Sequence, residues 1–320
     1  MRFGLFGSAQ ARRGAADPAA GFREYVEYNV AAEALGFEAS FLVEHHFTGI
    51  GQVSAPLALL AWVAARTTRL RIGTAVIVLP WHNPVVLAEE AATLDLMSGG
   101  RLDLGVGRGY RFTEFQGFAM DFAEADARFE EALGLIRKAW TADARFSHQG
   151  RFWRFDNILV EPPPLQKPHP PIWIAAGSER SIRRTAALGA NLLLDQFAPA
   201  SSIAARIALY RGAGNGAIAV ARNIHVAYDA AEKQAALAHA RAQHARMIAL
   251  SQDPAHEITS HILGYEGASE EAALYGMPAE IAAGLEDLRR AGADYVLVNT
   301  GGTSKEQLRR FARDVMPAFV

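Results

Sequence analysis

Arg108 stands between two glycines in the run Gly105-Val106-Gly107-Arg108-Gly109. A guanidinium flanked by residues without side chains can be approached closely by an anion, and its paired N–H donors match phosphate geometry. The alternative is a surface arginine in a flexible turn. A second anion-binding pattern is Gly177-Ser178-Glu179-Arg180-Ser181. There an apolar run enters a glycine, a serine and a helix start, offering free backbone N–H groups and a hydroxyl. An ordinary serine N-cap uses the same geometry without a ligand. Glu44-His45-His46-Phe47 sets two potential proton carriers beside a carboxylate. Adjacent strand residues point to opposite faces, so at most one of His45 and His46 faces a site. A purely structural histidine pair is the competing reading. No third ligand stands at a convincing spacing, so no metal is expected. Trp81, His82, Tyr110, Phe112, Phe115 and Trp173 fall near expected strand ends. They either line a pocket for an apolar or aromatic molecule or pack under an insertion. Arg128 is a further candidate for the anion.

Such residues need a scaffold that gathers strand ends on one face. Residues 72–110 read as strand, loop, helix, loop, strand and glycine-rich turn, a complete parallel crossover. Residues 72–79 are almost uninterrupted apolar and β-branched, as in a strand covered on both faces. Asn83-Pro84 is an N-cap followed by a first-turn proline. Leu87, Ala91 and Leu94 supply a stripe at helical spacing, and Ser98-Gly99-Gly100 ends the helix.

The same rhythm runs along the chain. Strands are expected at 2–7, 39–43, 72–79, 102–106, 172–176, 191–194, 218–228 and 295–299. Helices are expected at 19–35 (with Gly36 at C′), 57–66, 125–140, from 178 to 188, 201–210, 230–250, 278–291 and 304–315. Eight alternating strands and helices predict a (β/α)8 TIM barrel spanning 1–320 as a single domain, with sites at the C-terminal strand ends. Residues 113–124 read as a mixed aromatic loop. Residues 145–160 break the rhythm with two aromatic runs flanking Gln149-Gly150, which predicts an inserted β-hairpin. Six prolines make 161–171 an extended connection. Residues 251–277 have no clear pattern and are expected to form a mobile lid.

Half of the 320 residues are apolar, enough for a large core, and a formal net charge of -2 arises from interspersed signs. Neither a nucleic-acid nor an anionic-membrane partner is indicated. Without cysteine there are neither disulfides nor thiolate ligands. No apolar run approaches a membrane span, and the N-terminus lacks a signal-peptide layout, so a cytoplasmic protein is expected.

Several motifs together resemble the bacterial luciferase-like flavin monooxygenases. These are GTAVIVLP at 73–80, the helix ending LDLMSGGR, the G-x-x-R-G turn at Arg108, Glu44-His45-His46-Phe47, and Asp314-Val315-Met316-Pro317. The likeness covers essentially the whole chain, least so over 230–275. It implies a monooxygenase using reduced FMN from a separate flavin reductase, and O2. The oxidation of a small apolar substrate (an aldehyde, ketone or hydrocarbon) would proceed through a flavin hydroperoxide. No G-x-G-x-x-G turn follows the first strand, in keeping with a reductase on another chain. The resemblance puts the flavin phosphate on Arg108, with Gly177, Ser178, Arg180 and Ser181 as the second half of that site. The flavin ring would lie beside Ala75, Val76 and Tyr110, often with a cis Ala75–Val76 peptide. It makes His45 the acid/base and has Glu44 orient it or line the ring. Family members often carry a glutamate where Gly177 stands, and the luciferases carry a reactive cysteine at the position of Gly107. A homodimer is implied, and the helices after strands two and three carry small apolar residues suited to such packing. Two other readings stand: F420-dependent hydride transfer on the same fold, and a flavin-binding protein without turnover. A mere binder would not need His45 with Glu44.

Overall fold

The computed structural model describes residues 1–11, 14–251 and 271–319. Its strands are β1 (Arg2–Gly7), β2 (Ala39–Leu42), β3 (Arg71–Thr74), β4 (Ile77–Val78), β5 (Leu102–Gly107), β6 (Phe146–Gln149), β7 (Arg154–Ile158), β8 (Ile172–Ala175), β9 (Asn191–Leu194), β10 (Ile218–Val226), β11 (Leu274–Gly276) and β12 (Tyr295–Asn299). The order β10-β12-β1-β2-β3-β5-β8-β9, closed by β9 pairing with β10, is an eight-stranded parallel barrel. Helices follow the strands and form the outer layer, as the alternation predicts.

Two apolar layers follow from the two-residue period of the strands. Along β12, Tyr295 and Leu297 face inward while Val296 and Val298 join the layer under the helices. The inner set also holds Phe41, Trp173, Leu193, Ala219 and Ala221. Phe41 and Trp173 meet edge to face at 5.7 Å and plug the barrel below its mouth. Local caps act as read: Asn83 Oδ1 accepts from the N–H groups of Val85 and Val86, and Gly36 adopts φ 91° at the end of helix Ala20–Ala34.

Four expectations need correction. The single strand expected at 72–79 is two, β3 and β4, separated at a cis Ala75–Val76 peptide, and it runs into a 3-10 turn, Leu79–Trp81. Residues 113–124 are largely helical: Phe112–Gly117 is an α-helix, and Phe122–Glu124 is a 3-10 turn capped by Asp121. The hairpin forms between β6 and β7, but Gln149 pairs with Arg154, so the turn is Arg151-Phe152, two residues later, closed by Gly150 N–H to Trp153 O. Glu131 holds that turn by accepting from the backbone N–H groups of Arg151, Phe152 and Trp153 and from His148. Residues 252–270, most of the expected lid, lie outside the described residues. Its end is no lid, because Leu274–Gly276 pairs parallel to Ile224–Val226.

The close approach of β3 and β5 demands glycine. A Cβ on Gly105 would lie 1.7 Å from Thr74 O, whereas one on Gly134, in helix Ala125–Thr141, would meet nothing within 4 Å. Gly105→Ala should therefore cost about 3 kcal/mol or more, since backbone must shift. Gly134→Ala should gain about 0.5–1 kcal/mol by removing helix-interior glycine. Urea unfolding midpoints of both variants check the contrast, and a tolerated Gly105→Ala would refute the interlock.

Candidate active site

The strand ends converge as the barrel predicts, and Glu44 organises the first cluster. It leaves β2 only 1% exposed. Its Oε1 accepts from His46 Nε2 (2.7 Å), Trp81 Nε1 (2.8 Å) and His82 Nε2 (2.8 Å), while Oε2 accepts from the Val78 N–H (2.9 Å). Burial pushes a carboxyl pKa up, but the hydrogen bonds from His46, His82 and Trp81 outweigh it and hold Glu44 at about 2. Glu44 is thus a buried anion enclosed by donors, and its side chain does not orient His45.

His45 points elsewhere and meets a residue that sequence reasoning passed over. Its Nδ1 lies 3.0 Å from Glu114 Oε1, which also accepts the His46 backbone N–H at 2.9 Å. Arg111 Nη1 stands 3.9 Å from the same oxygen, and both Arg111 and Glu114 are buried. The ring of Tyr110 faces the imidazole edge-on at 6.4 Å. Burial lowers the His45 pKa; Glu114 works against that, and Arg111 adds to it. At neutral pH the ring is therefore uncharged. A carboxylate only accepts, so Nδ1 carries the proton and Nε2 keeps its lone pair. The signal for Glu114 was the Arg111-x-x-Glu114 spacing, an ion pair at helical separation inside a stretch read as loop.

The two anion-binding patterns emerge from neighbouring strands. Val106 of β5 pairs with Ile174 of β8, so Gly107-Arg108-Gly109 and Gly177-Ser178 follow adjacent strand ends. Arg108 is half-exposed, donates to Asp126 Oδ2 at 3.2 Å and lies over the Phe122 ring at 5.5 Å. Ser178 and Ser181 form a reciprocal capping box at the start of helix Glu179–Ala187: Ser178 Oγ accepts the Ser181 N–H, and Ser181 Oγ accepts the Ser178 N–H. Arg180 is exposed on the first turn, and a Cβ on Gly177 would lie 3.8 Å from the Arg206 guanidinium. Arg128 is engaged otherwise, paired with Glu124 at 3.0 Å and stacked on Phe152. Ala75, Val76 and Ala175 reach the surface at the mouth. A Cβ on Gly107 would come within 2.6 Å of Val76 Cγ2. Trp81, Phe115, Phe118 and Phe122 form one aromatic cluster, with centroids 4.9–5.2 Å apart. Trp173 is not part of it; it sits inside the barrel.

Against known proteins, the luciferase-like monooxygenase family model matches residues 1–295. The oxygenase component of the flavin-dependent trigonelline monooxygenase of Acinetobacter baylyi is 35% identical over 173 residues, 53% of this chain and 48% of that protein. The alkanal monooxygenase alpha chain of Photorhabdus laumondii is 31% identical over 179 residues, 56% of this chain and 50% of that one. The matches thus cover about half the length of these curated relatives. A monooxygenase structure from Streptomyces bottropensis superposes over 100% of both chains with a TM-score of 0.87 and 28% identity. Among the described residues, no helix is long and apolar enough to cross a membrane.

The depressed pKa of Glu44 has a sign that can be measured. A carboxyl whose folded pKa lies below its unfolded value stabilises the fold above the unfolded pKa, and that contribution is lost as pH falls through the folded pKa. A fall from the usual carboxyl value to about 2 corresponds to about 3 kcal/mol, lost progressively below about pH 4.5. Glu44→Gln should be less stable by about 2–3 kcal/mol at pH about 7 and should approach the parent at pH about 2. Urea midpoints across this range decide it; a constant difference at every pH would remove the charge from the explanation.

Proposed function

Because the chain belongs to the luciferase-like monooxygenase family, we propose that it is the oxygenase of a two-component system, taking reduced FMN from a separate flavin reductase and using O2 to oxidise a small apolar substrate such as an aldehyde, ketone or hydrocarbon. The observation that carries this reading is the joint placement, on one barrel mouth, of a neutral histidine held by a buried carboxylate and an arginine beside a helix N-terminus.

The residues present fit a flavin. Ala75, Val76 and Ala175 offer an apolar rim against which a planar ring can lie, and Gly107 leaves backbone exposed between them. Arg108 and the first-turn N–H groups of Glu179 and Arg180, which the Ser178–Ser181 capping box leaves unused, would hold the phosphate, with the Arg180 side chain and Ser181 at its edge. Reduced flavin, when bound, supplies the electrons that activate O2. His45 holds a lone pair at Nε2, fixed in direction by Glu114, and can take or return a proton beside the ring. The cluster of Trp81, Phe115, Phe118 and Phe122 keeps water from the site's flank. Exposed Trp62, Val86, Leu96 and Met97 on helices Pro56–Arg66 and Pro84–Met97 support a homodimer.

Cofactor identity is tested by anaerobic titration with reduced FMN and reduced F420, the latter because an F420-dependent secondary alcohol dehydrogenase shares the fold at a TM-score of 0.82 and 16% identity. FMN should bind more tightly; a tenfold preference for F420, about 1.4 kcal/mol, overturns the proposal. Arg108→Ala should weaken FMN by roughly ten- to a hundredfold and leave riboflavin, which has no phosphate, nearly unchanged.

Substitution of His45 separates an enzyme from a binder. His45→Ala should still bind reduced FMN within a few-fold, because the anion contacts are untouched. With a reductase, O2 and an aldehyde or ketone that the parent oxidises, product yield should fall by about 10²–10⁴, with hydrogen peroxide released instead. Peroxide and product are measured side by side. Full retention of coupling in His45→Ala would remove the histidine from the chemistry and favour a flavin-binding protein without turnover.

A further inference from the structure

The arginine assigned to the flavin phosphate already holds an anion of its own. Arg108 Nη1 donates to Asp126 Oδ2 at 3.2 Å, and both side chains remain about two-fifths exposed. Asp126 lies in the first turn of helix Ala125–Thr141, where the N-terminal dipole favours a carboxylate. Its other oxygen, Oδ1, stands 4.0 Å from Arg184 Nη1. Arg184 belongs to helix Glu179–Ala187, the helix that Ser178 opens. It is anchored by Glu130 at 2.7 Å and by the Phe129 ring at 4.9 Å, and its Nε is buried without a hydrogen-bond partner among the described residues. One carboxylate therefore sits between the two halves of the candidate anion site, bonded to one cation and in reach of another.

We propose that Asp126 is a placeholder anion, which occupies Arg108 until the flavin phosphate arrives and then turns toward Arg184. The inference rests on the phosphate reading above and adds a residue that sets its strength. A phosphate dianion beside Arg108 is repelled by a carboxylate left in place, so binding requires the pair to open. Opening is easy, because an exposed ion pair is weakly held, and Arg184 offers the displaced carboxylate a new partner. The result is a phosphate site weaker than Arg108 alone would make. That suits a chain that must exchange flavin with a separate reductase at each turnover, since a tighter site would retain oxidised flavin.

The experiment measures Kd for reduced FMN and reduced riboflavin, anaerobically, on the full chain and on D126N, R108A, R184Q and the D126N/R108A double variant. D126N should tighten FMN by about three- to tenfold and leave riboflavin unchanged. R184Q should weaken FMN, because the displaced carboxylate loses its second partner, and should again spare riboflavin. In the R108A background the gain from D126N should shrink. If R108A weakens FMN and riboflavin equally, the phosphate reading itself fails and the placeholder with it. If R108A discriminates between the two flavins but D126N leaves FMN unchanged or weaker, the phosphate reading stands and the placeholder is overturned. Equal tightening of both flavins by D126N also overturns it, since the effect would not act through the phosphate.

Discussion

A carboxylate carried into a protein interior must be given donors, because an ion without partners costs far more there than in water. Glu44 receives four, from residues 46, 78, 81 and 82. That single demand ties the end of β2 to the segment following the cis Ala75–Val76 peptide. The Val78 N–H bond fixes the start of the turn at Leu79–Trp81, opposite Gly107 in the pairing of β4 with β5. Because Glu44 and His46 are bound to one another, the intervening His45 is turned to the other side. There Glu114 takes both its Nδ1–H and the backbone N–H of His46. The direction of the histidine that the proposed chemistry uses is thus a consequence of where its neighbour's charge is satisfied.

What the sequence made legible was local or periodic. The alternation along β12, the Asn83 cap, the glycine-flanked arginine and the serine at a helix start each follow from a few adjacent residues. What it hid was carried by distance. Glu114 is 69 positions from His45, and the donors to Glu44 from the next strand's loop lie 34 to 38 positions away. A carboxylate next to His45 in sequence was the natural orienting partner, yet β2 ends at Leu42 and residues 44–46 lie beyond it. There Glu44 is taken up by His46, Trp81 and His82, and His45 by Glu114. The apolar run 72–79 reads as one strand because composition alone cannot reveal where β3 gives way to β4.

Glycines at the strand ends record how tightly the mouth is built. Gly105 admits the carbonyl of Thr74, and Thr74 Oγ1 in turn bonds both N–H and C=O of Gly105. Gly107 lies where Val76 would meet any side chain. The reactive cysteine that the resemblance places at this position in luciferases would need Val76 to shift. The apolar rim at Val76 and the bare backbone at Gly107 are therefore one arrangement. A chain built this way trades a side chain at this edge of the mouth for closer approach of backbone.

Charge at the mouth is divided by burial into two systems with different physics. His45, Glu114 and Arg111 are enclosed, so each hydrogen bond there is strong and each geometry fixed. Arg108 and Asp126 stand nearer solvent, where ion pairs are screened and readily exchanged. Under the proposed function this division matches two needs that conflict. Proton transfer requires a side chain held in one direction through every cycle, whereas a flavin shared with a reductase must come and go. A buried arginine for the phosphate would bind too firmly to release it, and an exposed histidine would lose its direction to water. On that proposal, a buried, rigid pair and an exchangeable pair nearer solvent let one barrel mouth do both.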